Sequence, residues 1–176
     1  MYGWVIIDWS SVDTRGACAA LNGLWGRGLQ EFAEMSRWLG DGNRADWADT
    51  THASLTTGFD ALWDPDRERY VDSIRGGAAT DEAETRHASE HAQAAAIVGG
   101  LVPEGRLGRL ADVLLDPDGR VHATWSVPGG PAMPNSGNDV GGAYLRDGFP
   151  DPWWDVDGLV VAQPFFRYVV HDALVA

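Results

Sequence analysis

The chain has 176 residues, 44% of them hydrophobic, and a net charge of −13. The apolar content suffices for one domain with a real core, and the acidic balance excludes nucleic acid and anionic membrane as partners. Cys18 is the only cysteine, which excludes a disulfide framework and a Cys-rich zinc site. Nothing resembling a signal peptide opens the sequence and no run approaches a membrane span, so a soluble chain is expected.

The first notable stretch is Val5-Ile6-Ile7-Asp8-Trp9. An apolar run that ends by presenting a carboxylate beside an indole suits one wall of a sugar site. The indole offers a flat face to a pyranose, and the carboxylate accepts bonds from its hydroxyls. The plainer reading is a buried run whose Trp packs and whose Asp caps the next turn.

From Arg15 to Leu39 the positions of Leu21, Leu24, Trp25, Leu29, Phe32, Met35, Trp38 and Leu39 predict a long helix, stopped by Gly40. Gly23, Gly26 and Gly28 weaken it unless another element packs close there. Cys18, set among alanines, reads as a small core residue. Asn43 can cap a second helix, from Arg44 to Trp63, that Asp64-Pro65-Asp66 ends. These two helices should form an antiparallel hairpin. Tyr70 to Ser73 reads as extended. A third helix, from Asp81 or Ser89 to Val98, is Ala-rich and therefore suited to close packing. A fourth runs from Pro103-Glu104 to Leu115. Arg120 to Val127 reads as extended, and Pro128 to Gly158 as a long loop rich in Gly, Pro, Asn and Asp. A final helix starts at Gln163-Pro164 and reaches Ala176. The fold expected is all-α: antiparallel helical hairpins joined by long irregular connections, with residues 1–176 forming one domain.

The chain has nine tryptophans. Trp4, Trp9, Trp125, Trp153 and Trp154 fall outside helical patterns and are the candidates for stacking on a ligand. His87-Ala88-Ser89-Glu90-His91 matches H-x-x-E-H, a pattern in which two His on one helix hold zinc and the Glu acts as base. The short motif matches easily by chance, and no Glu follows Glu104 to supply a third ligand. Asp151 to Gly158, DPWWDVDG, could gather carboxylates on calcium, but its spacing is not that of an EF-hand. No metal and no other cofactor is expected.

Four blocks in order, VIIDWSSVDTRGACAALNGLWGRGLQEFAEMSRWLGD, FDALWDPDRERYVDS, SEHAQAAAIVGGLVPE and AQPFFRYVVHDAL, together resemble the catalytic domain of α-L-rhamnosidases of glycoside hydrolase family 78. The resemblance covers most of the chain except Pro128 to Gly158. It implies a partial (α/α)6 toroid and, in the parent family, inverting hydrolysis of terminal α-L-rhamnosides. Inversion needs an acid and a base about 6.5–9.5 Å apart, with room for a water. In the family those two carboxylates lie in blocks upstream and downstream of the ones found here. The resemblance therefore implies an incomplete segment of such a domain, catalytically silent alone, with no catalytic residue of its own. It carries over Trp9 as the indole facing rhamnose, Asp8 beside it and, more weakly, His91. The partner implied is a rhamnose-containing carbohydrate. An open arc of hairpins would also self-associate through exposed helix faces, with Phe165, Phe166, Val169 and Val170 at one end and Val5 to Ile7 at the other. The alternative is a non-catalytic helical module that binds carbohydrate or protein.

Overall fold

The computed structural model describes residues 7–8, 10, 12–14, 16–74, 87–121 and 158–176. Among them are five α-helices: α1 (Ala19–Trp38), α2 (Gly42–Phe59), α3 (Glu90–Val98), α4 (Glu104–Leu115) and α5 (Pro164–Val175). Seven two-residue strands join them: β1 (Ala17–Cys18), β2 (Trp63–Asp64), β3 (Arg69–Tyr70), β4 (Ser73–Ile74), β5 (Ala88–Ser89), β6 (Arg120–Val121) and β7 (Leu159–Val160). The described residues are thus predominantly helical, but the all-α expectation needs three small sheets added to it. β1 pairs with β4 and β2 with β3, both antiparallel, and β7 lies between β5 and β6 in a parallel sheet.

These sheets trim the expected helices. The first begins at Ala19 rather than Arg15, because Ala17 and Cys18 pair with Ile74 and Ser73. It ends where Gly40 turns left-handed, with φ of 74°. The second begins at Gly42, a residue or two early, so its cap is Asp41 rather than Asn43, and the Asp41 carboxylate accepts from the Arg44 amide at 3.1 Å. It gives way at Asp60 to one 3-10 turn. Asp64 then folds the β2–β3 turn by accepting from the amides of Asp66 and Arg67.

α1 and α2 form the expected antiparallel hairpin. Leu29 and Ala33 meet Ala48 in its core, Phe32 packs edge-on against Trp47, and Arg37 pairs with Asp49 near the turn. The opposite side of α1 is not the face its large residues predict. Ala19, Ala20, Gly23 and Gly26 are buried, whereas Leu21, Trp25, Met35, Trp38 and Leu39 are exposed, Trp38 to 81%. The cause is a close crossing with α3. A Cβ on Gly23 would collide with the Ala95 backbone, and one on Gly26 would lie 2.8 Å from the Gly99 carbonyl oxygen. Gly28 faces open space.

α3 is the helix the others surround. Every residue from Glu90 to Ala96 is buried. α1 covers one side of it. α5 covers another, with Phe166, Val169, Val170 and Ala173 in a core shared with Ala94 and Ala95. Phe166, Val169, Val170 and Ile7 are therefore core residues, not the exposed patch expected of them, while Phe165 is 70% exposed. Val5 and Ile6 lie outside the described residues. No described helix is long and apolar enough to cross a membrane.

Candidate functional site

The parallel sheet sets the N-termini of two helices side by side. β5 leads directly into α3, and β7 leads through residues 161–163 into α5. Ala88 and Ser89 lie opposite Leu159 and Val160, which lie opposite Arg120 and Val121 on their other edge. The crossing segment 161–163 is then bonded, residue by residue, to distant side chains. Ser10 Oγ donates to the Val161 carbonyl at 2.6 Å. The Ala162 amide donates to Glu90 Oε2 at 2.8 Å, and the Gln163 amide to Asp8 Oδ2 at 2.6 Å.

Asp8 and His91 come together here. His91 Nε2 lies 3.0 Å from the same Asp8 oxygen, and neither side chain is exposed. A carboxylate only accepts, so the shared proton belongs to His91 Nε2. His91 Nδ1 has no hydrogen-bond partner among the described residues, and its ring packs on Phe166 with centroids 4.6 Å apart. Asp8 is thus turned toward α3 and α5. Trp9 lies outside the described residues, as do Trp4, Trp125, Trp153, Trp154 and the acidic part of the DPWWDVDG stretch.

Two further polar clusters flank this pair. Asp72 accepts from Ser89 Oγ on one oxygen (2.6 Å), and from His87 Nδ1 (2.6 Å) and the Asp13 amide (3.1 Å) on the other. Ser89 also caps α3 by accepting from the Ala92 amide at 3.4 Å. The second cluster centres on Glu90, which is fully buried. Arg167 Nη1 meets its Oε2 at 2.9 Å, and Arg120 Nε lies 3.6 Å from its Oε1. Carboxylates at the start of α3 are further favoured by the partial positive charge of a helix N-terminus.

This geometry corrects the zinc reading. His87 lies before β5, off the helix, and pairs with Asp72. His91 pairs with Asp8, and Glu90 with two arginines. The helical i, i+4 geometry that would aim both His at one ion is absent. Among the described residues no three His, Cys, Asp or Glu side chains are grouped to hold a metal. Nor do Ser89, Asp72 and His87 form a nucleophile triad, because the Asp stands between the Ser and the His and itself accepts the hydroxyl's hydrogen bond. Cys18 is a buried core residue, and burial pushes its thiol up to about 11.

Sequence reasoning missed Glu90 as an arginine-paired anchor, and missed Asp72, Gln163 and Arg167 altogether. One signal was available: Glu90, His91 and Gln93 open an otherwise Ala-rich helix, a density of polar groups that burial forces into pairs. Outside the segment 161–163, next to these clusters, lies an open cavity of about 480 Å³ whose lining includes Gln163, Pro164, Arg167, Tyr168 and His171. Among known proteins, neither a family model nor a curated sequence matches the chain.

Proposed function

We propose that the chain carries part of the sugar-binding wall of an α-L-rhamnosidase-like helical toroid, without the general acid and base that hydrolysis requires. In this reading Trp9 is the stacking face. Asp8 and His91 hold it in place rather than reaching into the sugar, since Asp8 Oδ2 already accepts from His91 and from the Gln163 amide. The observation that carries the reading is this junction. It ties the residue before Trp9 to the first turn of α3 and to the approach to α5, two of the elements in which the rhamnosidase resemblance lies. A stacking indole needs such rigid support to select a ring by shape. The partner is a rhamnose-containing carbohydrate.

The test is rhamnose titration of the purified chain followed by tryptophan fluorescence, beside an assay of a chromogenic α-L-rhamnoside. Saturable rhamnose binding that Trp9→Ala removes, without turnover, is the expected result. No rhamnose binding, or binding untouched by Trp9→Ala, would overturn the reading. Turnover would show that the catalytic carboxylates lie within this chain.

A second reading, a helical module that docks on protein, is favoured by one observation. Leu21, Trp25, Met35 and Leu39 are all exposed along one side of α1. The partner it suggests is another copy of the chain, joined through these helix faces.

A further inference from the structure

We propose that the cavity beside α5 is a subsite for an anionic pyranose, a sugar ring bearing a carboxylate or a phosphate. It rests on the sugar-binding reading for its location, but on separate residues for its chemistry. Pro164, Arg167, Tyr168 and His171 follow at i, i+3, i+4 and i+7, so one stripe of α5 presents a guanidinium, a phenol and an imidazole to the same 480 Å³ space. Tyr168 and His171 are exposed, and neither has a hydrogen bond or ion pair among the described residues. Arg167 touches Glu90 through Nη1 alone, and its side chain keeps 30% of its surface open. A guanidinium has five donors, so most of the Arg167 fork remains for a ligand.

Glu90 is the carboxylate that Arg167 pairs with, but Arg120 lies against it as well. Glu90 is thus shared between two arginines and engages Arg167 only in part, while Asp8 is turned to the Gln163 amide. The start of α5 adds its own partial positive charge. The Tyr168 ring supplies an apolar face that a pyranose can cover. A neutral sugar would use the ring face and leave the remaining Arg167 donors without a charged acceptor, whereas an anionic one satisfies both.

Three ligands that share a ring and differ in charge test this by calorimetry on the intact chain: glucuronate, glucose 6-phosphate and glucose. At least one anionic sugar should bind about tenfold or more tighter than glucose, the effect of one charge-assisted contact. His171→Ala, on an exposed position, should weaken that binding severalfold. Arg167→Lys, which keeps the Glu90 pair, should weaken it further by removing the planar fork. Which anion binds distinguishes the carboxylate from the phosphate form. Equal binding of all three, no binding of any, or anion binding unchanged in both variants would overturn the proposal. Rhamnose binding at Trp9 is scored separately, with Trp9→Ala. Loss of the rhamnose signal beside retained anion binding would reject the rhamnosidase reading and leave this one standing, and the reverse pattern would do the opposite.

Discussion

Asp8 and His91, 83 residues apart in the chain, share a hydrogen bond of 3.0 Å in which both side chains are wholly buried. Burial makes the pair asymmetric in its consequences. Removing one partner strands the other in a low-dielectric site, which costs more than the pair is worth when intact. Asp8→Ala should therefore lower unfolding stability by about 3 kcal/mol. Asp8→Asn, which keeps an oxygen for both His91 and the Gln163 amide, should cost clearly less. Urea denaturation of the two variants beside His91→Ala and the double mutant checks this. Additive losses from Asp8→Ala and His91→Ala would show that the two residues do not act as a pair.

The α1–α3 crossing gives a sharper contrast, because two glycines on one helix face different surroundings. Gly23 abuts the Ala95 backbone, and Gly28 has nothing near it. Gly23→Ala should destabilise by about 3 kcal/mol, since a collision with backbone cannot be relieved by a side-chain rotation. Gly28→Ala should stabilise by up to about 1 kcal/mol, the helix-propensity gain alone. Thermal melts of both settle the comparison. Equal effects at the two sites would mean that the helices do not cross at Gly23.

That crossing also explains what the sequence disclosed and what it concealed. The length of α1 follows from apolar spacing over many turns, and the hairpin with α2 follows from the short turn at Gly40 and Asp41. The buried face does not follow. Periodicity weighs large apolar side chains, but a close crossing selects small ones, so Gly23, Gly26 and Ala20 face inward while Trp25 and Trp38 do not. Gly23 and the Ala run from Ala92 to Ala96 held that information as a pair of complementary hints rather than as a pattern. The two-residue strands lie below any periodic signal, and they alone bring Ser89, Val121 and Val160 into register. Asp8 and His91 could each be singled out by residue type and context. Their pairing, and that of Glu90 with Arg167, depends on contacts between distant parts of the chain that no local motif encodes.

Cys18 supplies a pH-dependent prediction. Its thiol rises from 9.0 to about 11 in the fold, chiefly because burial penalises the thiolate. A folded pKa above the unfolded one means that the native state holds its proton more tightly. The resulting stability is fully present below pH 9 and is lost as pH rises through 11. Denaturation between those limits should show a decline of about 2 kcal/mol from this group, and Cys18→Ala should remove that part of the slope. A thiol reagent at mildly alkaline pH should react with Cys18 only as fast as the chain opens. Rapid stoichiometric labelling of the native protein would contradict the burial assigned to it.

The exposed side of α1 carries the last prediction. Leu21, Trp25, Phe32, Met35 and Leu39 recur at helical spacing. Phe32 is partly covered by Trp47, and the other four are exposed. Scattered exposed apolar residues are ordinary, but several large ones along one side of a helix favour an interaction surface or an aggregation liability. Sedimentation velocity should therefore show concentration-dependent association of the isolated chain. Trp25→Glu and Met35→Glu should each weaken it, because a charge on a contact between two such faces is desolvated without a partner. Both positions are about half exposed in the fold, so the variants should unfold at nearly the same denaturant concentration as the parent. A chain that stays monomeric throughout, or that associates equally well with either charge in place, would remove the case for self-association through α1. The functional readings would then rest on the buried Asp8–His91 junction and on the cavity beside α5.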